Sequence, residues 1–395
     1  MILHFHYSPN PNSGEIRRIR NIDNEVCNIL NTKSIEVEFY SLRDFKKVRG
    51  IWHFNLTRNV IRKFYIPLIP FTGSFWVLQW ICDLWTSLVI FYVYKRHSPQ
   101  LIIGEYSTSY SAMRLKCLMK STYVADMHGA LPEEYIYDNP DVINWKLKYI
   151  TRMESLTSKK SDLIICQSEE MKRHITNKYG VSANRVYVYK CGVDADLFKL
   201  EPFKRASMRM QLGITNESFV FVYVGGLMKW QKIEDALLIF ANAHNLLSDC
   251  KFLIITRETD NVRLFLQQLG LLYLSNDIIA LSSTFDKVSD YLNAADVAFL
   301  LRDDVTMNRV ASPTKLAEYM ACGLPVISSK VAAYWVDRSM MDDGSVICYD
   351  ERTNLRALIK NIMDCDRTKI RQYAIDKLSL RNDARNIREM CERVE

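Results

Sequence analysis

An α/β fold of two domains, each a parallel sheet covered by helices, is what this chain predicts. Three observations point there. Strand-like apolar runs alternate with helix-like runs nearly throughout. The length of 395 residues exceeds what one hydrophobic core usually serves. Gly, Asp and Pro punctuate CGVDADLFKLEP, residues 191–202, and close the first half. The predicted domains are therefore 1–202 and 203–369, with 370–395 as a closing C-terminal helix.

In the first half the strand candidates are 2–6, 35–40, 101–104, 123–125, 163–167 and 186–189. Between the last two, SEEMKRHITNKYG reads as a helix with a serine cap and a closing Gly180. Residues 75–94, FWVLQWICDLWTSLVIFYVY, approach the roughly 20 apolar residues of a membrane span. Gln79, Asp83, Thr86 and Ser87 nevertheless fall along one helical stripe, and an unpaired Asp at the bilayer centre costs about 2.5–3.5 kcal/mol. Two readings stand for this helix: packing in the first domain's core, or contact with a membrane surface, the latter shared with the basic, aromatic stretch 49–65. In the second half the strand candidates are 219–224, 251–255, 278–281, 297–300, 326–328 and 345–348, with helices such as 235–247 and 288–294 between them. One last helix is predicted over 370–394.

Composition narrows the class. With 48% hydrophobic and 25% charged residues the chain can bury ordinary globular cores. Ten cysteines form no CxxC pair, which suits a reduced, cytosolic setting. The opening MILHFHYSPN lacks the pattern of a secretory signal, so the protein is expected not to be exported. The net charge is +7, and residues 1–100 hold 13 Lys and Arg against 7 Asp and Glu. No zinc-finger spacing, RNA-binding aromatic signature or basic zipper accompanies that excess, so nucleic acid is excluded as a partner. An anionic membrane surface fits better, since the same region is rich in tryptophan.

SPTKLAEYMACGLPVI, residues 312–327, narrows the chemistry most. Ser312 and Pro313 sit where an N-cap and a first-turn proline belong, Leu316, Tyr319 and Met320 recur at helical spacing, and Gly323 with Pro325 stops the helix. A helix start offers unpaired amides and a positive dipole end, worth about 0.3–1 kcal/mol to an anion and up to about 2 when partly buried. A diphosphate suits such a place.

The wording SPTK-x-x-E-Y-M-A-x-G-x-P-V-I resembles the donor site of family 4 glycosyltransferases, among them enzymes of bacterial cell-surface polysaccharide synthesis. The resemblance implies the GT-B fold, two Rossmann-like domains facing a central cleft, and a retaining transferase with acceptor on the first domain and donor on the second. It gives Glu318 to the donor's ribose, and Ser312, Pro313, Thr314 and Lys315 to its diphosphate. A lone helix glutamate is by default a solvated carboxylate. Glu318 is read otherwise because of the words around it.

Elsewhere the resemblance is partial. FVFVYVGGLMKWQKIEDALLIF, residues 219–240, reads as strand, glycine turn and helix, and resembles the family's G-R-L-x-x-x-K-G passage. Aligned on Gly225, the Arg position is Gly226 and the Lys position is Gln231, leaving Lys229 and Lys232 as candidate substitutes. The first Glu of the family's E-x(7)-E is Val310, with Asn308, Arg309 and Ser312 as its polar neighbours. In the first half, ADMHGALPEEY places His128 after a short strand, at the end where open α/β sheets put ligands. In the related enzymes that histidine faces the donor sugar and phosphate. Asp126, Glu133 and Glu134 are candidates for orienting it or the acceptor, and Gly14 opens a helix whose preceding loop approaches the donor phosphates in the family.

The string Asp194-Ala195-Asp196 is the only D-x-D considered as a metal holder, and it lies inside the G-V-D turn. No metal or cofactor is expected, the nucleotide sugar being a co-substrate. Zinc-protease, serine-hydrolase and P-loop motifs do not occur. The sequence thus predicts a cytoplasmic, membrane-peripheral enzyme acting on a lipid-linked or cell-surface glycan. The rivals are a noncatalytic GT-B binding protein and a GT-B sugar-nucleotide epimerase.

Overall fold

The computed structural model describes residues 1–7, 14–41, 60–68, 76–140 and 145–394. It divides into two compact units, Met1–Cys191 with Asp383–Glu395, and Gly192–Asn382.

The first unit holds a parallel sheet of seven strands in the order β3-β2-β1-β4-β5-β6-β7. These are β1 (Ile2–Tyr7), β2 (Ser34–Ser41), β3 (Val60–Leu68), β4 (Leu101–Glu105), β5 (Thr122–Met127), β6 (Leu163–Cys166) and β7 (Val186–Val188). Strand β3 was not expected. VIRKFYIPL carries Arg, Lys and Pro, the residues that edge strands use and central strands avoid, and β3 is the sheet's edge. Residues 60–65 of the basic, aromatic stretch 49–65 belong to this strand, and the stretch's earlier part lies outside the described residues.

The second unit holds six parallel strands in the order β10-β9-β8-β11-β12-β13. They are β8 (Phe219–Val224), β9 (Cys250–Ile255), β10 (Ile278–Leu281), β11 (Val297–Leu300), β12 (Val326–Ser328) and β13 (Val346–Cys348). Both faces of β8 are buried, which is why it reads as an unbroken apolar run. Phe219, Phe221 and Tyr223 enter one core with Phe240, Phe252 and Phe299, whereas Val220 and Val222 enter the other with Leu316, Tyr319 and Met320. Each such side chain contributes about 1.5–3 kcal/mol on burial.

In both sheets the strand order reverses beside the first strand, between β1 and β4 and between β8 and β11. Ligands of open α/β sheets gather at the carboxyl ends of the strands flanking such a reversal.

The unit boundaries differ from the predicted ones. Residues 192–202 belong to the second unit because Phe198 is part of its core and Arg371 donates to the carbonyls of Phe198, at 2.8 Å, and Ala195, at 3.2 Å. The C-terminal stretch is two helices, not one. Arg367–Lys377 packs on the helix Thr314–Ala321 in the second unit, the chain then bridges Ser379 to Val193, and Ala384–Cys391 packs on Gly14–Ile29 in the first. The predicted serine-capped helix is Glu169–Tyr179, with Ser168 accepting the Met171 N–H at 2.9 Å and Gly180 at φ 66°.

Candidate functional site

The second unit's site grows from the helix Thr314–Ala321. Its N-cap is Pro313, not Ser312: Pro313 is extended at φ −72° and ψ 109°, and its carbonyl accepts the Leu316 N–H at 3.0 Å. A proline there sacrifices no hydrogen bond, since the first amides of a helix have no partner within it. The helix stops in a Schellman turn. Leu324 N–H donates to Tyr319 O at 3.0 Å, Gly323 N–H to Met320 O at 2.9 Å, and Gly323 takes φ 70° where an added Cβ would meet Arg367 O at 2.6 Å.

The helix is pinned to β8 by Tyr319, whose hydroxyl accepts the Val224 N–H at 2.9 Å. That contact brings Lys315 over the glycine turn. Gly225 has φ 139°, a backbone conformation that side-chain-bearing residues rarely adopt, and a Cβ on it would lie 2.1 Å from Lys315 Nζ. Lys315 Nζ donates to Gln231 Oε1 at 2.9 Å and sits 4.9 Å from the Tyr223 ring centroid. Burial first, then the charge of Arg302, pull its pKa well below the usual lysine value, and Glu318 only partly opposes them. An amine so placed gains from an arriving anion. Glu318, one turn inside the helix on the Lys315 side, is 6% exposed, so it is no solvated surface carboxylate.

Around this pair lie the other predicted donor residues. Lys232 is ion-paired to Asp235 at 2.8 Å and to Asp303 at 2.9 Å, and Lys229 is exposed. Gly226 faces Glu258, which accepts the Leu227 N–H at 3.1 Å. Arg309 is turned onto Asp304 at 2.6 Å and the Tyr334 ring at 5.4 Å, on the short helix Thr306–Arg309. Asn308 is buried and donates to Asp303 O at 2.9 Å. In the D-x-D string, Asp194 accepts the Asp196 N–H at 2.9 Å and Asp196 pairs with Arg381 at 2.9 Å, a turn-forming role.

Arg302 was missed in the sequence. It lies two residues past the end of β11, is buried, and lays its guanidinium 3.9 Å from the Trp230 ring centroid while donating to Trp230 O at 3.3 Å. Its signal was position: a cation in the first loop after a strand at the reversal point.

The first unit carries its own cluster at the matching strand ends. His128 is 9% exposed, with Nε2 at 3.2 Å from Asp126 and 3.7 Å from Glu105. Asp126 is gripped by Arg18 Nη1 at 2.7 and 2.6 Å, and Arg18 Nε donates to Tyr189 O at 2.9 Å. Burial would raise the Asp126 pKa, but Arg18 and then His128 outweigh it and hold the carboxylate well below its usual range. Beneath, His4 lies 3.5 Å from Asp23 and 3.7 Å from Glu105. Burial opposes its protonation, yet the two carboxylates outweigh burial and push its pKa up to about 10. Arg18, His4 and Glu105 were missed too, though a polar residue breaking an apolar strand, as in ILHFHY and LIIGE, is a legible sign.

The other first-unit candidates are placed as follows. Glu134 sits against Gly129, where a Cβ would come within 2.1 Å of its carboxylate. Glu133 pairs with Lys178 at 2.7 Å, facing away into a group with Glu154 and His174. Gly14 begins the helix Gly14–Ile29, and the loop before it lies outside the described residues. Ligand atoms of Glu105, Asp126 and His128 fall within 4.8 Å of one another, a metal-like spacing. Arg18 and His4 already supply positive charge to two of the three, so the cluster is not the open, electron-rich set a divalent cation needs.

Comparison with known proteins follows this geometry. Residues 26–197 match the family described as Glycosyltransferase Family 4, and residues 218–364 the family described as Glycosyl transferases group 1. TuaH of Bacillus subtilis, described as a teichuronic acid biosynthesis glycosyltransferase, is 24% identical over 190 residues, covering 47% of this chain and 45% of that relative. The chain thus matches less than half the length of TuaH. Among solved structures, Anabaena HepE in complex with UDP superposes with a TM-score of 0.71 at 16% identity over 99% of each chain. WaaG, a glycosyltransferase involved in lipopolysaccharide biosynthesis, gives 0.71 at 14% identity, again over 99% of each. At these identities the superpositions speak for the fold.

Proposed function

We propose that this chain, which belongs to glycosyltransferase family 4 and has the GT-B fold, is a retaining enzyme using a nucleotide-sugar donor and a lipid-linked or cell-surface glycan acceptor. The observation that carries this reading is Lys315 packed over Gly225, one helical turn from the buried carboxylate of Glu318. In it, the first amides of Thr314–Ala321 and Lys315 take the diphosphate, Arg302 adds charge, and Glu318 accepts hydrogen bonds from the ribose hydroxyls. The bond from the sugar's anomeric carbon to the diphosphate oxygen breaks as the acceptor oxygen bonds to that carbon on the same face. The acceptor's proton passes to the departing diphosphate. Preplaced positive charge lowers this barrier because negative charge grows on the leaving group, and no metal is required.

His128, held by Asp126, serves on the donor-sugar side, and the first unit binds the acceptor. The names of TuaH, a teichuronic acid enzyme, and WaaG, a lipopolysaccharide enzyme, favour a cell-envelope glycan, and UDP in the HepE complex makes uridine nucleotides the first donors to try. Such an acceptor places the protein at the cytoplasmic face of a membrane.

A panel of nucleotide sugars, scored for transfer, hydrolysis and epimerisation with EDTA present, tests the proposal. Transfer with retained anomeric configuration supports it. Binding of a donor with no turnover on any acceptor would instead favour a noncatalytic protein, the reading that Gly226, Gln231 and Val310 recommend. Epimerisation without an acceptor, or loss of activity on adding EDTA, would also contradict it.

A further inference from the structure

The helix Trp76–His97 is built inside out. Its buried residues include the polar ones, Asp83, Thr86 and Ser87, while Trp76, Trp80, Leu84, Leu88 and Tyr92 are exposed at i, i+4 spacing with Val77, Ile81 and Trp85 beside them. The polar side chains have partners within the unit. Asp83 accepts from Gln79 and from Tyr149 Oη, both at 2.8 Å, Thr86 donates to Cys82 O at 2.8 Å, and Ser87 donates to Asp83 O at 2.7 Å. Surface helices of water-soluble domains turn the other way, apolar stripe inward. Trp76 is 66% exposed, Trp80 53% and Tyr92 69%, although tryptophan is a residue that folded chains usually cover.

We infer that this outward face docks the protein on an anionic lipid surface, with the helix lying in the plane of the interface. Length and apolar content alone would let the helix cross a bilayer. Its inner side is committed elsewhere, because Asp83 and Ser87 are tied to Tyr149 and to Ser111 O, on the helices Trp145–Lys160 and Tyr106–Leu115. A helix with one face held by protein can lie on lipid but cannot be surrounded by it.

The chemistry of the face selects the occupant. Tryptophan and tyrosine prefer the headgroup level, where the ring is half in hydrocarbon and its polar edge is wet. The last turn presents exposed Lys95 and Arg96, and exposed Lys120, whose backbone N–H donates to Tyr94 Oη at 2.9 Å, adds a third cation at that end. Lysine beside an apolar aromatic stripe matches an anionic headgroup layer, whereas the core of a protein interface is depleted of it. The excess positive charge of residues 1–100 has the same sense.

This inference deepens the membrane-side part of the proposed function, and it is tested so that the two can fail separately. Full-length protein is floated with phosphatidylcholine vesicles, with and without phosphatidylglycerol, at low and high salt, while UDP affinity is measured in parallel. Binding should require phosphatidylglycerol, weaken with salt, and shift tryptophan emission to the blue. The double substitution Trp80→Glu with Leu84→Glu should cut vesicle partitioning by about tenfold or more while leaving UDP affinity unchanged. Lys95→Gln with Arg96→Gln should lower it by a smaller, salt-sensitive factor. Absence of flotation on anionic vesicles at low salt would overturn the inference. So would flotation unaffected by Trp80→Glu with Leu84→Glu, or a dimer in light scattering that this variant converts to monomer.

Discussion

The two units share one strand order around the reversal point, yet the side chains gathered at their carboxyl ends are managed in opposite ways. In the second, positive groups crowd: Lys315 lies beside Arg302, and burial together with that like charge pulls the lysine's pKa well down. In the first, charges are already matched. Arg18 neutralises Asp126, and His4 sits between Asp23 and Glu105. On the proposed function, the site that takes an anion is rich in positive charge, whereas the site that holds one imidazole in place is balanced before anything binds. One strand order serves both: in the first unit His4, Glu105 and Asp126 stand on strands and Arg18 on a helix, whereas in the second Lys315 and Glu318 stand on a helix and Arg302 in the loop after β11.

Perturbing each unit should separate these roles. The largest effect is expected from His128→Ala, which should lower turnover by about 10²–10⁴-fold and leave UDP affinity within a factor of about two. An equal loss in affinity would erase the distinction between the units. Next comes His4→Gln. The His4 pKa is raised from 6.5 to about 10, so its contribution is fully present below pH 6.5 and is lost as pH climbs towards 10. Denaturant unfolding should therefore show stability falling by up to a few kcal/mol over that window in the natural protein and a flatter profile in the variant. A wild-type profile that is already flat would contradict the matched-charge account of the first unit.

Lys315→Met should weaken UDP by about tenfold at neutral pH, or about 1.4 kcal/mol. Because the lysine's pKa is depressed, an incoming diphosphate restores its proton, so affinity should decline as pH rises on the alkaline side. The variant should lose that slope, and a slope surviving in Lys315→Met would assign it elsewhere. The smallest effects belong to Lys229→Ala and Arg309→Ala, whose side chains are exposed or turned onto Asp304; UDP affinity should move by less than about twofold. A tenfold loss in either would redraw the second unit's site.

Much of this was legible because local signals agreed with tertiary ones. The six strands of the second sheet are largely apolar runs bounded by turns, and the helix Thr314–Ala321 with its stop at Gly323 was readable in SPTKLAEYMACG, although its cap is Pro313 and not Ser312. What escaped depended on partners distant in sequence. Gln231 looked like a lost cation, but it holds Lys315, 84 positions away. The stripe of Gln79, Asp83, Thr86 and Ser87 was visible, yet its inward orientation is decided by Tyr149, 66 positions beyond Asp83. Arg18 and Asp126, 108 positions apart, carry no local mark of belonging together. Strand β3 was hidden for another reason: an edge strand uses the charged and proline residues that argue against a strand.

The central claim is that Glu318 and the helix start beside it form the donor site. Calorimetric titration of the full-length protein with UDP, comparing the natural sequence with Glu318→Ala, tests it most directly. The account predicts a measurable affinity that falls by about 10- to 100-fold in the variant, the worth of hydrogen bonds to a charged acceptor, with thermal unfolding of the unliganded proteins little changed. An affinity unchanged by the substitution would contradict it.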